Sequence, residues 1–149
     1  MNPIPYPSIR AYLEQVEDEE LAEELLRRCA GLDTKNPQEA RSPQRYVMTL
    51  RELTTPEAFE FTTFEATVDE MIIQRDIAFS SLCRHHVLPF TGVAHIGYIP
   101  GSKIAGLSKL ARTVQYCSKA LQTQEELTSE VADMLGQNLR PRGVAVVLE

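Results

Sequence analysis

The residues best suited to chemistry are crowded into "SLCRHHVLPF", residues 81 to 90, where Cys83, Arg84, His85 and His86 follow one another in an otherwise apolar segment. Zinc takes Cys sulfur and His nitrogen in tetrahedral sites, and a catalytic site uses three protein ligands and leaves the fourth position to water. Cys83 and His86, three apart on a tight connection, can turn toward one ion. His85 is then free to move protons, because an unperturbed imidazole titrates near neutral pH. The competing reading is a polar turn in which His85 or His86 hydrogen-bonds to backbone. A single C-x-x-H leaves both readings open, and no second cysteine pair strengthens the first.

Two further groups lie downstream. Ser108, Lys109 and Arg112 occupy the first turns of a predicted helix, where free N–H groups and the helix dipole favour an anion such as phosphate. The plainer alternative is an ordinary capped helix with solvated basic residues. Gln124 and Glu125 open the next helix. A carboxylate there either complements the dipole or accepts two N–H bonds from a planar base.

The elements that must position these groups follow from periodicity. Ser8 is placed to cap a helix with Ile9, Leu13 and Val16 on one face, and Leu21, Leu25, Leu26 and Cys29 continue an apolar stripe to Gly31. Glu17 to Glu20 read as a solvated face or a bend between two short helices. After the loop "LDTKNPQEARSP", Ser42 caps and Pro43 starts a helix that faces Val47, Leu50 and Leu53 to the core. "FTTFEATVDEMIIQRDIAFSSL" and "GVAHIGYIP" are β-branched, aromatic runs, so the histidine stretch is the connection of a hairpin.

Ser108 is expected to cap a helix with the stripe Leu110, Val114, Cys117 and Leu121, and "TQEE" reads as a capping box opening another. That last helix carries Leu127, Val131, Met134 or Leu135, and Leu139; "GVAVVLE" is a third long strand. Cys29 and Cys117 both fall on helix stripes, as small core residues do. The order predicts an α+β fold: a helical region over residues 1–60, then residues 61–149 forming an antiparallel sheet with a helix pair on one face. A strand reaching Glu149 leaves an open edge unless another chain or further residues cover it.

Composition narrows the function. The 149 residues are 43% hydrophobic, enough for one core, and 15 basic against 21 acidic residues give a net charge of −6. That balance disfavours nucleic acid and anionic membrane as partners and suits a small substrate or another protein chain. There is no basic start followed by an apolar run and no membrane-length apolar stretch. Three separated cysteines fit a reducing cytoplasm, which leaves Cys83 available to a metal.

The blocks from "VDEMIIQRDIAFSSLCRHHVLPF" through "GLSKLAR" and "QTQEEL" to "GVAVVLE", residues 68 to 149, resemble GTP cyclohydrolase I, with a looser match at "GLD" and "SPQR". The resemblance implies the tunnelling fold (T-fold), in which strands of several subunits form a continuous barrel, usually in a homo-oligomeric decamer of two pentamers. It implies Zn2+-dependent hydrolysis of GTP at guanine C8, with loss of formate and rearrangement to dihydroneopterin triphosphate. On this resemblance Cys83 and His86 match zinc ligands and His85 the acid/base. Ser108, Lys109 and Arg112 match residues at the ribose and triphosphate, Glu125 the carboxylate on the guanine N–H edge with Gln124 beside it, and Arg45 a phosphate contact from a neighbouring subunit.

Two departures stand out. The family motif is Cys-Glu-His-His, whereas Arg84 here replaces the acid and is expected to reverse a charge beside the metal. The family's third zinc ligand, a nearby histidine and another phosphate-binding arginine follow the strand that ends here at Glu149. Either the chain is part of a longer enzyme, or it is a short binding or regulatory subunit with weak catalysis.

Overall fold

The computed structural model describes residues 15–149, so the expected cap at Ser8 and its neighbours Ile9 and Leu13 lie outside the described residues. The chain divides into two compact units, one ending at Arg51 and one spanning Glu52–Glu149.

In the first unit, α1 (Asp18–Ala30) begins after Glu17 with Asp18, Glu19 and Glu20 in its first turn and ends with Arg27 and Arg28. Both sets of charges complement the helix dipole, so the acidic run marks a helix start. Gly31 closes it at φ 70°, the left-handed cap that favours glycine. The expected apolar stripe is not a buried one. Leu21, Leu25 and Cys29 are exposed and Ala22 is the buried residue of α1, because a helical stripe is covered only where another element packs on it. α2 (Ser42–Thr54) starts at Ser42 and buries Pro43 and Val47, and Arg51 reaches Asp18 at 2.5 Å.

The second unit holds the core. β1 (Thr63–Glu65) pairs with β4 (Lys103–Ala105) in a small antiparallel ladder, while β2 (Ile72–Cys83), β3 (Pro89–Ile99), β5 (Leu121–Gln122) and β6 (Gly143–Leu148) form a sheet of order β5-β2-β3-β6. β2 and β3 are the predicted hairpin, and β6 pairs antiparallel to β3 from Ile99↔Gly143 to Ala94↔Leu148. Three features differ from expectation. The run from Phe61 is split into β1 and β2, the unpredicted β4 is too short to show a period, and β5 runs parallel to β2, so the main sheet is mixed.

α3 (Leu107–Cys117) and α4 (Gln124–Leu139) pack on one face of this sheet. α3 buries Leu110, Val114 and Cys117 and α4 buries Leu127, Val131, Leu135 and Leu139, against Ile77, Phe79, Ala94, Ile96, Tyr98 and Leu148. Leu135, not Met134, takes the inward position. Each such side chain contributes about 1.5–3 kcal/mol when fully buried. Two capping expectations resolve differently. Thr123 forms the full capping box with Glu126, but α3 is capped by Gly106, and Ser108 lies inside its first turn. Leu121 belongs to β5 and is exposed, since α3 stops before it.

Gly92 stands where β3 passes Glu149: a Cβ there would run into the Glu149 carbonyl oxygen, which accepts from Val93 N–H at 2.9 Å. The opposite face of the sheet carries Ile73 and Val147 exposed, and among the described residues β6 has β3 as its one partner. Among the described residues, no helix is long and apolar enough to cross a membrane.

Tyr98 links the sheet to the start of α3. Its buried hydroxyl accepts from Ala105 N–H at 3.0 Å, one residue before the Gly106 cap. Tyr98→Phe leaves that N–H unsatisfied and is expected to lower stability by about 1–3 kcal/mol in urea unfolding; an unchanged midpoint would show that water replaces the bond.

Candidate functional site

The histidine stretch is a turn between β2 and β3, built on a defined backbone. Val87 N–H donates to Cys83 C=O at 2.8 Å and Cys83 N–H to Leu88 C=O at 2.8 Å. A turn closed from residue i+4 to i holds Cys83, His85 and His86 on one short loop. Val87 holds φ 56°, a costly conformation for a β-branched residue, which places the turn's geometry under the control of its surroundings. Cys83 is half-buried and His85 and His86 are exposed; the contact observed is between Cys83 Sγ and His85 Nδ1, at 3.8 Å.

As a metal centre the turn offers two donors of the right kind, a thiol and an imidazole, on one backbone loop. They fit two of the three protein ligands of a catalytic zinc site. Among the described residues, no group of three or more His, Cys, Asp or Glu side chains could hold a metal ion. A complete centre therefore needs a donor beyond this turn.

The start of α4 is drawn to the turn by β5. Leu82 and Cys83 pair with Leu121 and Gln122, and Arg84 N–H adds a bond to Gln122 C=O at 3.1 Å. A buried network holds this corner. Gln122 Nε2 donates to Ser81 Oγ at 3.0 Å and to Cys117 C=O at 2.6 Å, and Ser81 Oγ donates to Ala120 C=O at 3.2 Å. Sequence reasoning missed both residues; a polar pair within apolar runs, Ser81 before "LC" and Gln122 after "KAL", is the signal it left unused.

Glu125 follows directly from the capped start of α4. Its carboxyl is held below the usual carboxylate range, first by its own backbone N–H, then by the Thr123 hydroxyl, with the His85 charge adding to the effect. The anion is therefore the resting form at neutral pH, and whatever it stabilises is present above the usual carboxylate range and lost as pH falls through the lowered value. Glu125 also lines a cleft of about 520 Å³ with Arg84, Leu121, Gln122, Glu126, Ser129, Glu130 and Asp133. Gln124 turns elsewhere: its amide donates to Leu148 C=O at 3.1 Å and ties α4 to β6.

Ser108 and Lys109 lie in the first turn of α3, which carries no acid, and Arg112 stands at the middle of the helix. No hydrogen bond or ion pair engages their side chains among the described residues. α3 ends next to β5, so Lys109, eight residues before Cys117, lies roughly 12 Å and Arg112, five before it, roughly 8 Å along the helix from the corner that holds the turn, at about 1.5 Å per residue. The structure thus joins the metal-type turn to Glu125 and spreads the basic group from the start of α3 to its middle. Arg45 belongs to the first unit, where its guanidinium donates to Gln38 C=O and Ser42 Oγ, both at 3.1 Å.

Comparison with known proteins gives consistent matches. The profile of the GTP cyclohydrolase I family matches residues 18–149. A GTP cyclohydrolase 1 of Hydrogenobaculum sp. is 48% identical over 110 residues, covering 72% of this chain and 60% of that protein. One from a Synechococcus strain is 42% identical over 134 residues, 86% of this chain and 58% of its own length. One from Streptomyces avermitilis is 44% identical over 142 residues, 89% of this chain and 71% of its own length. The chain thus spans about three-fifths of the length of the first two.

Two outcomes test this corner. Gln122→Leu strips the buried carbonyl of Cys117 and the Ser81 hydroxyl of a partner and is expected to cost about 1–3 kcal/mol by denaturant unfolding. Burial, with the Glu130 charge adding, pushes the Cys117 thiol up to about 12, so it stays protonated and unreactive at pH 8. Iodoacetamide is expected to modify Cys29 and Cys83 in the folded protein and Cys117 only after unfolding, as read by peptide mass spectrometry; early modification of Cys117 contradicts its burial.

Proposed function

The chain belongs to the GTP cyclohydrolase I family, and from that membership we propose that the protein acts as a GTP cyclohydrolase I, converting GTP and water to dihydroneopterin triphosphate and formate. The observation that carries this reading is the meeting of the Cys83–His86 turn with Glu125 at one corner, where the charge of His85 favours the Glu125 anion. A half-buried thiol, two imidazoles and an ionised carboxylate beside a cleft are the groups needed to hold and open a purine.

In this assignment Cys83 and His86 supply two ligands to Zn2+, and a third donor comes from outside the turn. Zinc, when bound, lowers the cost of making a water nucleophile at neutral pH. Glu125 accepts the paired N–H groups of the guanine edge and so fixes the ring's orientation. His85, free of the metal, delivers a proton to the purine ring nitrogen as the imidazole ring opens. Ser108, Lys109 and Arg112 receive the ribose and triphosphate at an unneutralised helix start.

The separation along α3 supports a substrate that stretches between the two groups, or groups from adjoining subunits that meet at one substrate. The second option accords with a tunnelling-fold barrel assembled as a decamer, to which the β6 edge, unpaired among the described residues, and the apolar face at Ile73 and Val147 are suited. Within such an assembly Arg45 reaches the phosphates of a neighbouring site and Gln124 braces Glu125 through Leu148. The expected setting is the cytoplasm, where Cys83 stays reduced.

The test is GTP turnover by the full-length assembled protein with added Zn2+, following formate and the fluorescence of the oxidised pterin. Glu125→Ala is expected to reduce kcat/KM by about 100-fold or more, the scale of losing charge-assisted hydrogen bonds to the base. Unchanged turnover removes Glu125 from the guanine site. GTP binding with no formate release replaces the enzyme with the binding-subunit reading.

A further inference from the structure

Arg84 was expected to place a positive charge beside the metal ligands, and the structure turns it away. Its Nη1 donates to Glu126 Oε1 at 2.6 Å, while Nε and Nη2 both reach Leu121 C=O, at 3.3 and 3.2 Å. With its backbone N–H on Gln122 C=O, Arg84 spans the Leu121–Glu126 segment from end to end. The guanidinium fork suits this double task, because its planar donors can engage a carboxylate and a carbonyl together.

Glu126 is oriented from its other side. Its Oε2 accepts Thr123 N–H at 2.8 Å in the capping box, so one carboxylate caps α4 and anchors the turn. Thr123 in turn accepts from Glu126 N–H at 3.2 Å and helps to hold the Glu125 carboxylate in its charged form. A continuous polar path therefore runs from the turn that carries Cys83, His85 and His86, through Arg84, Glu126 and Thr123, to Glu125.

We propose that Arg84 and Glu126 are a positioning pair that sets the distance between the histidine turn and Glu125, so that the proton donor and the base anchor are held in one geometry. This rests on the proposed cyclohydrolase activity for its kinetic consequence, but the coupling of the turn to α4 stands apart from it. Neither residue touches the reacting atoms. The charge reversal at Arg84 is thereby compensated locally, by the Glu126 carboxylate in the first turn of α4.

The experiment is a double-mutant cycle in the full-length assembled protein with Arg84→Gln, Glu126→Gln, the double variant and Arg84→Lys. Glutamine at position 126 can still accept Thr123 N–H, so the cap survives while the ion pair is lost. Two readouts are taken: hydrogen exchange of the amides of residues 84–87 without substrate, and kcat and KM for GTP. Each single variant is expected to speed turn exchange about tenfold and lower kcat about tenfold with KM within about threefold, since misplacement acts on the transition state more than on binding. The double variant should be no worse than the worse single, and Arg84→Lys, which keeps the charge but not the fork, should fall between.

Single variants within threefold of the parent, or effects that multiply in the double, overturn the pairing. If the parent shows no GTP turnover, the proposed function fails by itself and the exchange cycle decides the pair: non-additive exchange upholds it and additive exchange overturns it.

Discussion

The arrangement depends on a buried side-chain amide. Gln122 sits almost wholly out of water between α3 and β2 and donates to both the end of the helix and the strand, through Cys117 C=O and Ser81 Oγ. A buried amide without partners is expensive, so the chain between α3 and α4 has one satisfactory course. That course lays Leu121 and Gln122 parallel to Leu82 and Cys83 and delivers the start of α4 to the histidine turn. Two rungs of parallel ladder are weak by themselves; the network gives them their register.

On this frame the surface charges take specific tasks. Glu126 closes the capping box with one oxygen and receives Arg84 with the other, while its neighbour Glu125 is left to the cleft as an anion. An exposed ion pair contributes only about 0–1 kcal/mol to stability. Its value here lies in geometry, since Arg84 also bonds the Leu121 carbonyl and so ties two segments that are far apart in sequence. Lys109 is kept apart from this acid-rich corner by most of the length of α3, and Arg112 by about half of it. Within a chain of net charge −6, that separation leaves a local positive end for an anionic group.

Much of the second unit was legible from local signals. The hairpin strands, the stripe Leu127, Val131 and Leu139, the Thr123 capping box and the closing strand all follow from periodicity and turn chemistry, and all are present, while the choice of Leu135 over Met134 came from the packing. The failures share one cause: each depended on a partner distant in sequence. Leu21, Leu25 and Cys29 have a core-like spacing yet are exposed, because periodicity reports a face and not what covers it. β4 and β5 hold three and two residues, too few for any period, and exist through pairing with β1 and β2. Ser108 is a good capping residue, but the geometry of Tyr98 and Ala105 puts the helix start at Gly106.

The sequence by itself determined the chemical inventory and its local grouping: a thiol and two imidazoles in one turn, three polar or basic residues at one helix start, a carboxylate after a capping threonine, and blocks in the order of a known family. These are properties of neighbours along the chain, and short-range sterics and hydrogen bonding suffice to read them. Only the tertiary structure decided which groups meet. It brought Glu125 to the turn, sent Gln124 to β6, turned Arg84 onto Glu126 and set Ser108, Lys109 and Arg112 along the first half of α3. The reason is physical: such meetings are set by where buried polar groups such as Gln122 find partners and how helices pack on a sheet, and neither is encoded within a few residues of the site.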